Sequence, residues 1–410
     1  MFKFGFDVDE VDQPIADAFA GGHPASGSAN SHTQNTVRED PSKEIPIEDL
    51  LAALPHTFSF SPFAVPLVSK RTVVLARRDL FDARFQLIAS DEDAKTTDGR
   101  SDLDFLDAPS DLVPGVYEGG LKTWECSLDL VDCLDSIYGT EIARHLKGKR
   151  VLELGCGTSI PSLYLLRSIF AAEPLEDAGI EIHLQDYNEL VLRLVTLPNV
   201  ILSWYMSSAS AEFRSSVSSQ TDVQMSDNDA EAEPLPTADA TEPGEMPITR
   251  PLLDAFLASL RKYGVQLKFF SGSWATFDVQ RAGGPYQLVL TSETIYRTDS
   301  LPSLVDLLQR ATAKPPPKET PKDAASLTES TAKLSLTNEA ALQNLREEPS
   351  LCLVAAKVVY FGVGGGVNEF IHAVESPPSS GSGGKPKGVV RTVWERIYGV
   401  KRAVMQVLWN

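Results

Sequence analysis

The sequence predicts an α/β fold built on a mostly parallel sheet of about seven strands, with an antiparallel hairpin at one edge. After Gly115, segments of strand character alternate with helical segments, which is typical of parallel βαβ units. The chain ends on two strand candidates without a helix between them, 389–394 and 402–409, and these predict the hairpin. A glycine-rich turn follows the strand at 150–154, where such sheets bind ligands.

The composition describes an acidic chain that can bury a full core. Its 410 residues are 42% hydrophobic and carry a formal net charge of −19 at pH 7. This charge argues against a general nucleic-acid binder, and it suits either a basic partner or plain solubility. No apolar run approaches the roughly 18 residues of a membrane span, and the N-terminus turns acidic at once. We therefore expect no membrane association and no secretory signal.

The cysteines argue against a metal site. All four are scattered, without a C-x-x-C pair or a Cys/His cluster: Cys126, Cys133, Cys156 and Cys352. The pattern indicates reduced thiols rather than zinc ligands, and with the absent signal it predicts a cytoplasmic and nuclear protein.

Shifts in composition divide the chain into three parts. We predict a mostly disordered N-terminal region, an N-terminal extension and a main domain with two low-complexity insertions: 1–60, 61–114, and 115–410 with insertions 207–246 and 313–348. Within the extension, β-branched and apolar runs at 72–77 and 84–89 predict a pair of strands.

Around the glycine-rich turn, periodicity assigns the first elements of the main domain. Apolar residues from Leu121 to Ile137 recur at helical spacing and predict a helix over 115–138. Ser159 and Pro161 suit the start of the next helix, by capping and by a preset φ. The predicted order is helix 115–138, helix 140–147, strand 150–154, helix 161–170, strand 180–185 and helix 188–196.

Pro198 is expected to stop that last helix, and the apolar run 199–205 predicts a strand. The remaining elements alternate up to the terminal hairpin: strand 265–271, strand 286–291, helix 301–312, strand 351–360 and helix 367–375.

Four segments with unusual residues stand at the carboxyl ends of predicted strands, and these ends share one edge of a parallel sheet. They are LELGCGTS (152–159), QDYN (185–188), GSW (272–274) and TSETIY (291–296). Asp186 can take ribose hydroxyls or cap a helix at the surface. Trp124 and Trp274 can pack on a ligand or simply in the core. Taken together, the segments predict a nucleoside site.

The turn itself favours S-adenosylmethionine over a dinucleotide. The third glycine of a dinucleotide fingerprint is absent, because Thr158 and Ser159 follow Gly157. Glu153 would repel a pyrophosphate, whereas it can accept from an amine, and an acidic, aromatic pocket suits a sulfonium.

Several long strings resemble one family. They are GVYEGGLKTWEC (115–126), LELGCGTS (152–159), LQDYNELVLRLVTLPNV (184–200), FFSGSW (269–274), LVLTSETIY (288–296) and KVVYFGVGGGV (357–367), with FKFGF at the start. The chain resembles the protein-histidine N-methyltransferases that modify one histidine of a large-subunit ribosomal protein. The resemblance implies a Rossmann-like, seven-β-strand methyltransferase domain over 115–410 and S-adenosylmethionine as cofactor.

The resemblance also implies roles for residues. Those lining the methionine end are Glu153, Gly155, Cys156 and Gly157. The nucleoside side comprises Asp186 at the ribose, Tyr187 and Asn188 beside the adenosine, Gly272 and Trp274 near the adenine, and Trp124 closing the pocket. At the methyl-transfer face stand Ser292, Glu293 and Tyr296.

For the chemistry, Glu293 is the candidate carboxylate that accepts one imidazole N–H and aims the other nitrogen at the methyl. Its alternative role is to contact backbone at the strand end. The glycines of 362–367 either admit a substrate backbone or form a structural turn.

The expected substrate is a basic large-subunit ribosomal protein, and the enzyme is expected to be a monomer that binds no nucleic acid. Two alternatives stay open. One is a lysine methyltransferase of the same fold, which an assay on a substrate whose target histidine is replaced would separate. The other is a non-catalytic ribosomal-protein chaperone, which an inactive variant that still supports ribosome assembly would favour.

Overall fold

A computed structural model describes residues 40–83, 85–86, 112–113, 117–118, 120–221, 235–313, 339–360, 364–377 and 386–410. The strands in these ranges are β1 (Lys43–Ile45), β2 (Thr57–Pro66), β3 (Thr72–Arg78), β4 (Leu112–Val113), β5 (Tyr117–Glu118), β6 (Arg150–Leu154), β7 (Ile180–Asp186), β8 (Gly244–Pro247), β9 (Val265–Ser271), β10 (Leu288–Ser292), β11 (Leu351–Lys357), β12 (Gly388–Arg396) and β13 (Arg402–Trp409). The α-helices are Ile47–Ala52, Glu125–Tyr138, Ile142–Leu146, Ile160–Ala171, Glu189–Val191, Leu197–Tyr205, Ala211–Thr221, Arg250–Lys262, Leu301–Ala311, Glu339–Glu347 and Val367–Glu375.

The main sheet has the strand order β1-β9-β7-β6-β10-β11-β13-β12. Strands β9, β7, β6, β10 and β11 run parallel, and β13 and β12 form the antiparallel hairpin at one edge. The predicted seven-stranded α/β sheet with its C-terminal hairpin is therefore confirmed. An eighth strand, β1, pairs antiparallel with β9 at the other edge. Helices cover both faces, so central strands such as β11 are buried almost throughout.

The described residues of the N-terminal part contain regular elements. Residues 40–60, placed in the mostly disordered region, contain β1, a helix and the start of β2. The strand at 72–77 is confirmed, but its partner is β2 and not 84–89. Residues 80–83 and 85–86 are helical, and 87–89 lie outside the described residues. Strand β2 forms the pair because its alternating buried side chains, Phe58 and Phe60 among them, pack into the core.

Three predictions in the main domain are wrong. The helix predicted over 115–138 begins only at Glu125, and the run 199–205 belongs to the helix Leu197–Tyr205 instead of a strand. Pro198 does not end the helical course, because a π-helical turn, Leu192–Thr196, precedes it. Proline leaves the Leu194 carbonyl without its usual partner, and buried Arg78 donates to that oxygen at 2.8 Å. Because this helix is buried on every side, its sequence lacks helical periodicity.

The two predicted insertions are structured at their ends. Strand β8, within and just after 207–246, pairs with β2, and the helix Ala211–Thr221 lies in the same insertion. The helix Glu339–Glu347 at the end of 313–348 buries Leu342 and Leu345 in the main core. Residues 222–234 and 314–338 lie outside the described residues.

Within the described ranges, no single helix has the length and apolar character needed to cross a membrane. The pair Glu189–Tyr205 and Ser208–Val217 meets that test jointly, by length and composition only, but is bent by 76°.

Candidate functional site

The four predicted segments lie at one edge of the sheet. Strands β9, β7, β6 and β10 are consecutive neighbours, and the register pairs Leu154 with both Gln185 and Thr291. The turns that follow these strands are therefore level with one another. The sheet order alone brings together Gly155–Gly157, Asp186–Asn188, Gly272–Trp274 and Ser292–Glu293.

The glycine-rich turn is tightly enclosed from behind. Gly155 and Gly157 have φ values of 60° and 50°, in the left-handed region that favours glycine. A Cβ on Gly155 would stand 2.6 Å from Thr294 Cγ2, and one on Gly157 would stand 3.1 Å from the Gly120 carbonyl oxygen. The Gly157 N–H donates to Asp186 Oδ2 at 2.9 Å, which joins the turns after β6 and β7. Only glycine fits both positions without displacing a neighbour.

Gln185 connects three of the predicted segments, although sequence reasoning assigned it no role. Its Oε1 accepts from Trp274 Nε1 at 2.8 Å and from the Gly155 N–H at 3.3 Å. Its Nε2 donates to the Gly272 carbonyl at 2.8 Å, and the side chain is fully buried. The sequence signal that could have identified Gln185 is a polar residue inside a buried strand, immediately before Asp186. Gln185 thus holds the half-buried Trp274 ring against the glycine-rich turn.

Asp186 does not cap a helix at the surface, which was the alternative role predicted for it. Its carboxylate is nearly buried, with Oδ1 accepting the Asn188 N–H at 3.1 Å and Oδ2 accepting the Gly157 N–H. The helix that follows is capped instead by Asn188, whose Oδ1 accepts the Leu190 N–H at 2.9 Å. Tyr187 is half-buried between them. The backbone contacts fix the orientation of the Asp186 carboxylate at the strand end.

Glu153 and Cys156 support the turn from the protein side. Glu153 Oε2 accepts both the hydroxyl and the N–H of Ser162, the latter at 3.0 Å. Burial raises the pKa of Glu153 to about 8, and burial likewise raises the pKa of the Cys156 thiol. Ser159, predicted to cap the helix, adopts a φ of 57° and gives no cap. Glu153 satisfies an N–H of the first helical turn in its place, while Pro161 occupies that turn as predicted.

Glu293 is held by two other parts of the chain. Its backbone N–H still pairs with the Ala355 carbonyl of β11, but its φ is 57°, a strained value for a non-glycine residue. Oε1 accepts the Cys126 N–H at 3.3 Å, and Oε2 accepts the Tyr360 hydroxyl at 2.5 Å. The side chain is 8% exposed. The alternative role predicted for Glu293 was contact with backbone at the strand end. Only one of its oxygens contacts backbone, and that backbone belongs to the start of the helix Glu125–Tyr138. Tyr360 was missed, although it lies in the quoted string KVVYFG.

One aromatic residue, Tyr360, bonds this carboxylate, and further aromatic rings lie near the groups that hold it. The Tyr296 and Tyr360 rings are 6.2 Å apart at 60°, and Lys357 Nζ lies 5.2 Å from the Trp124 ring centre. Trp124 is half-buried just before the helix Glu125–Tyr138, and Ser292 is half-buried at the end of β10. The predicted catalytic and pocket-closing residues are thus brought near Glu293.

In its described residues, the glycine-rich segment after β11 packs against backbone of the same chain. A Cβ on Gly365 would stand 2.3 Å from the Tyr296 carbonyl oxygen. The Gly365 N–H donates to that oxygen at 3.0 Å. For this residue the structure supports the structural-turn alternative, and residues 361–363 lie outside the described ranges.

No group of three or more His, Cys, Asp or Glu side chains in the described part of the chain is placed to hold a metal ion.

No family model matches the chain. Similar proteins include histidine protein methyltransferase 1 of Saccharomyces cerevisiae, 32% identical over 319 residues that cover 76% of this chain and 71% of that protein. The protein of the same name from Schizosaccharomyces pombe is 31% identical, covering 78% and 74%. A histidine protein methyltransferase 1 homolog of Bos taurus is 30% identical, covering 65% and 51%.

Proposed function

This chain belongs to the histidine protein methyltransferase family, and we propose that it transfers the methyl group of S-adenosylmethionine to a histidine of a basic large-subunit ribosomal protein. Methyl transfer to protein histidine follows from family membership. The methyl donor and the substrate are the proposed parts.

The donor set at the strand ends fits S-adenosylmethionine. The turn of Gly155 and Gly157 stands at the carboxyl end of β6, and Asp186 presents an oriented carboxylate beside it. Trp274 supplies a half-buried flat ring held by Gln185. We assign the methionine end to the turn, the ribose to Asp186 and the adenine to Trp274. When bound, the cofactor supplies an electrophilic methyl group on a positively charged sulfur.

The proposed histidine chemistry rests on one observation, the position of Glu293. Its Oε2 accepts one hydrogen bond from Tyr360, and a carboxylate oxygen can accept a second. Glu293 can therefore take the N–H of a neutral imidazole, which leaves the lone pair of the other ring nitrogen free. The same carboxylate stabilises the positive charge that develops on the ring during transfer. No strong base is required, so positioning supplies most of the catalysis.

The substrate proposal rests on charge and on the resemblance of the sequence motifs. A chain of net charge −19 attracts a basic protein over long range, which raises the rate of encounter. A ribosomal-protein substrate also agrees with the proposed cytoplasmic and nuclear localisation. We further propose that the enzyme acts as a monomer.

Labelled-methyl transfer into a purified large-subunit protein fraction, followed by mass spectrometry of the modified peptide, tests the proposal. The expected result is one labelled protein carrying one methylated histidine. The same protein with that histidine replaced by alanine should take up no label. Label confined to lysine would overturn the assignment.

A Glu293→Gln variant separates chemistry from binding. We expect turnover to fall about tenfold or more, because the amide bears no negative charge, while cofactor binding measured by calorimetry stays unchanged. Near-normal turnover with normal binding would refute the role of Glu293. If the inactive variant still supported ribosome assembly in cells, a chaperone role would gain support.

A further inference from the structure

We infer that Tyr360 is a positioning residue which, through Glu293, determines which of the two imidazole nitrogens is methylated. The inference rests on the proposed role of Glu293 and adds a residue that the sequence motifs did not single out. It follows from the direction of the hydrogen bonds around the carboxylate.

The neighbours of the Tyr360 hydroxyl determine which hydrogen bond it accepts and which it donates. It accepts the Lys357 N–H at 3.2 Å, so its own hydrogen is directed to Glu293 Oε2. Burial, and then the charge of Glu293, raise the pKa of Tyr360 well above its ordinary value. The phenol therefore stays protonated at neutral pH and acts as a donor to the carboxylate.

The donors to Glu293 come from two segments far apart in the chain. The Cys126 N–H contacts Oε1 from the start of a helix, and Tyr360 contacts Oε2 from just beyond β11. The Cys126 N–H and the Tyr360 hydroxyl, one on each oxygen, fix the rotation of the carboxylate plane, and the Cys126 thiol also contacts the carboxylate. The Tyr360 bond is the shorter of the two, and it is charge-assisted. Without it, the plane can rotate about the remaining Cys126 contact.

The orientation of this plane decides which N–H of the substrate is accepted. The nitrogen whose N–H contacts Glu293 cannot react, so the other nitrogen uses its lone pair to form the N–C bond. The electron pair of the broken S–C bond stays on sulfur, and the ring becomes a cation facing Glu293. Its N–H proton then passes to the carboxylate or to water. A rotated carboxylate can accept the other N–H and direct the methyl to the other nitrogen.

Tyr360→Phe tests the inference, with Tyr398→Phe as the matched control. Tyr398 lies on the tip between β12 and β13 and is 81% exposed, so its hydroxyl has no part in the site. The readouts are kcat, KM for the protein substrate, and the ratio of the two methylhistidine isomers after acid hydrolysis and chromatography. We expect one isomer from the wild type and from Tyr398→Phe. For Tyr360→Phe we expect an approximately tenfold lower kcat, a KM within about twofold of the wild type and a second isomer.

An unchanged isomer ratio in Tyr360→Phe would overturn the inference, whether or not kcat falls, because a purely structural role lowers the rate without altering regiochemistry. Cofactor affinity and the thermal midpoint show whether the variant is folded. If Tyr360→Phe fails to fold, Tyr360→Trp and Tyr360→His are measured in the same way. Absence of any methylhistidine in the wild-type product would refute the proposed function itself, and so the two failures are distinguishable.

Discussion

Replacing Gly155 by alanine should destabilise the protein through two costs that can be measured separately. The first is conformational, since alanine must adopt a φ of 60° that disfavours any residue with a Cβ. The second is steric, because the new Cβ would stand 2.6 Å from Thr294 Cγ2. The position lies in the turn that we assign to the cofactor.

The structure sets the size of each cost. A left-handed φ costs about 1–2 kcal/mol for a non-glycine residue, and overpacking a buried contact costs about 1–3 kcal/mol. Gly155→Ala should therefore lower the free energy of unfolding by about 2–5 kcal/mol. Thr294→Ser removes Cγ2 but keeps the hydroxyl, whose oxygen lies 2.7 Å from Thr291 Oγ1. In the double variant we expect only the conformational cost, together with about 0.8 kcal/mol for the lost methyl.

Denaturant unfolding of the wild type, both single variants and the double variant forms a complete cycle. Gly399→Ala is the matched control, because Gly399 has a φ of 69° and, among the described residues other than its two chain neighbours, none has an atom within 4 Å of an added Cβ. It should show the conformational cost alone. A coupling energy below about 0.5 kcal/mol between Gly155→Ala and Thr294→Ser would refute the steric argument.

Three further predictions concern buried ionisable groups. Arg402→Met should cost about 3–5 kcal/mol in denaturant unfolding, because it removes the guanidinium that bonds both Asp129 oxygens, at 2.6 and 3.1 Å. Asp129→Leu in the same chain should recover part of that loss, and exposed Arg391→Met should change stability by less than about 0.5 kcal/mol. Glu153 has a pKa of about 8 in the folded state against 4.5 ordinarily, so its contribution to stability falls as pH rises between these values. Glu153→Gln should remove that slope, which parallel unfolding curves from pH 5 to 9 would measure; an identical slope would contradict the assignment. Asp186→Asn should weaken S-adenosylmethionine binding about tenfold or more in calorimetry, since an amide cannot accept as a carboxylate does. Unchanged affinity would exclude Asp186 from the site.

The strands of the main sheet could be predicted because their signal is local. Runs such as 351–357 are apolar throughout, and strands alternating with helices leave few ways to order a parallel sheet. The convergence of Gly155, Asp186 and Trp274 follows from that order alone. The run 199–205 was predicted wrongly as a strand because complete burial removes the periodicity that distinguishes a helix from a strand.

The contacts that complete the site are long-range and leave no pattern in the sequence. Tyr360 is 67 residues from Glu293, and the donor of the other hydrogen bond, Cys126, is 167 residues away. Gln185 stands beside a predicted residue, yet its bonds to Trp274 and Gly272 depend on the pairing of β7 with β9.

The sequence by itself determined the α/β class and predicted the edge of the sheet where the candidate site lies and most of the residues brought together there, because side-chain periodicity and turn chemistry act over a few residues. Only the tertiary structure decided that β2 pairs with β3 and β8, that Pro198 is accommodated by Arg78, and that Cys126 and Tyr360 hold Glu293. These contacts join distant segments, and their free energy appears only when packing excludes water from the groups that meet.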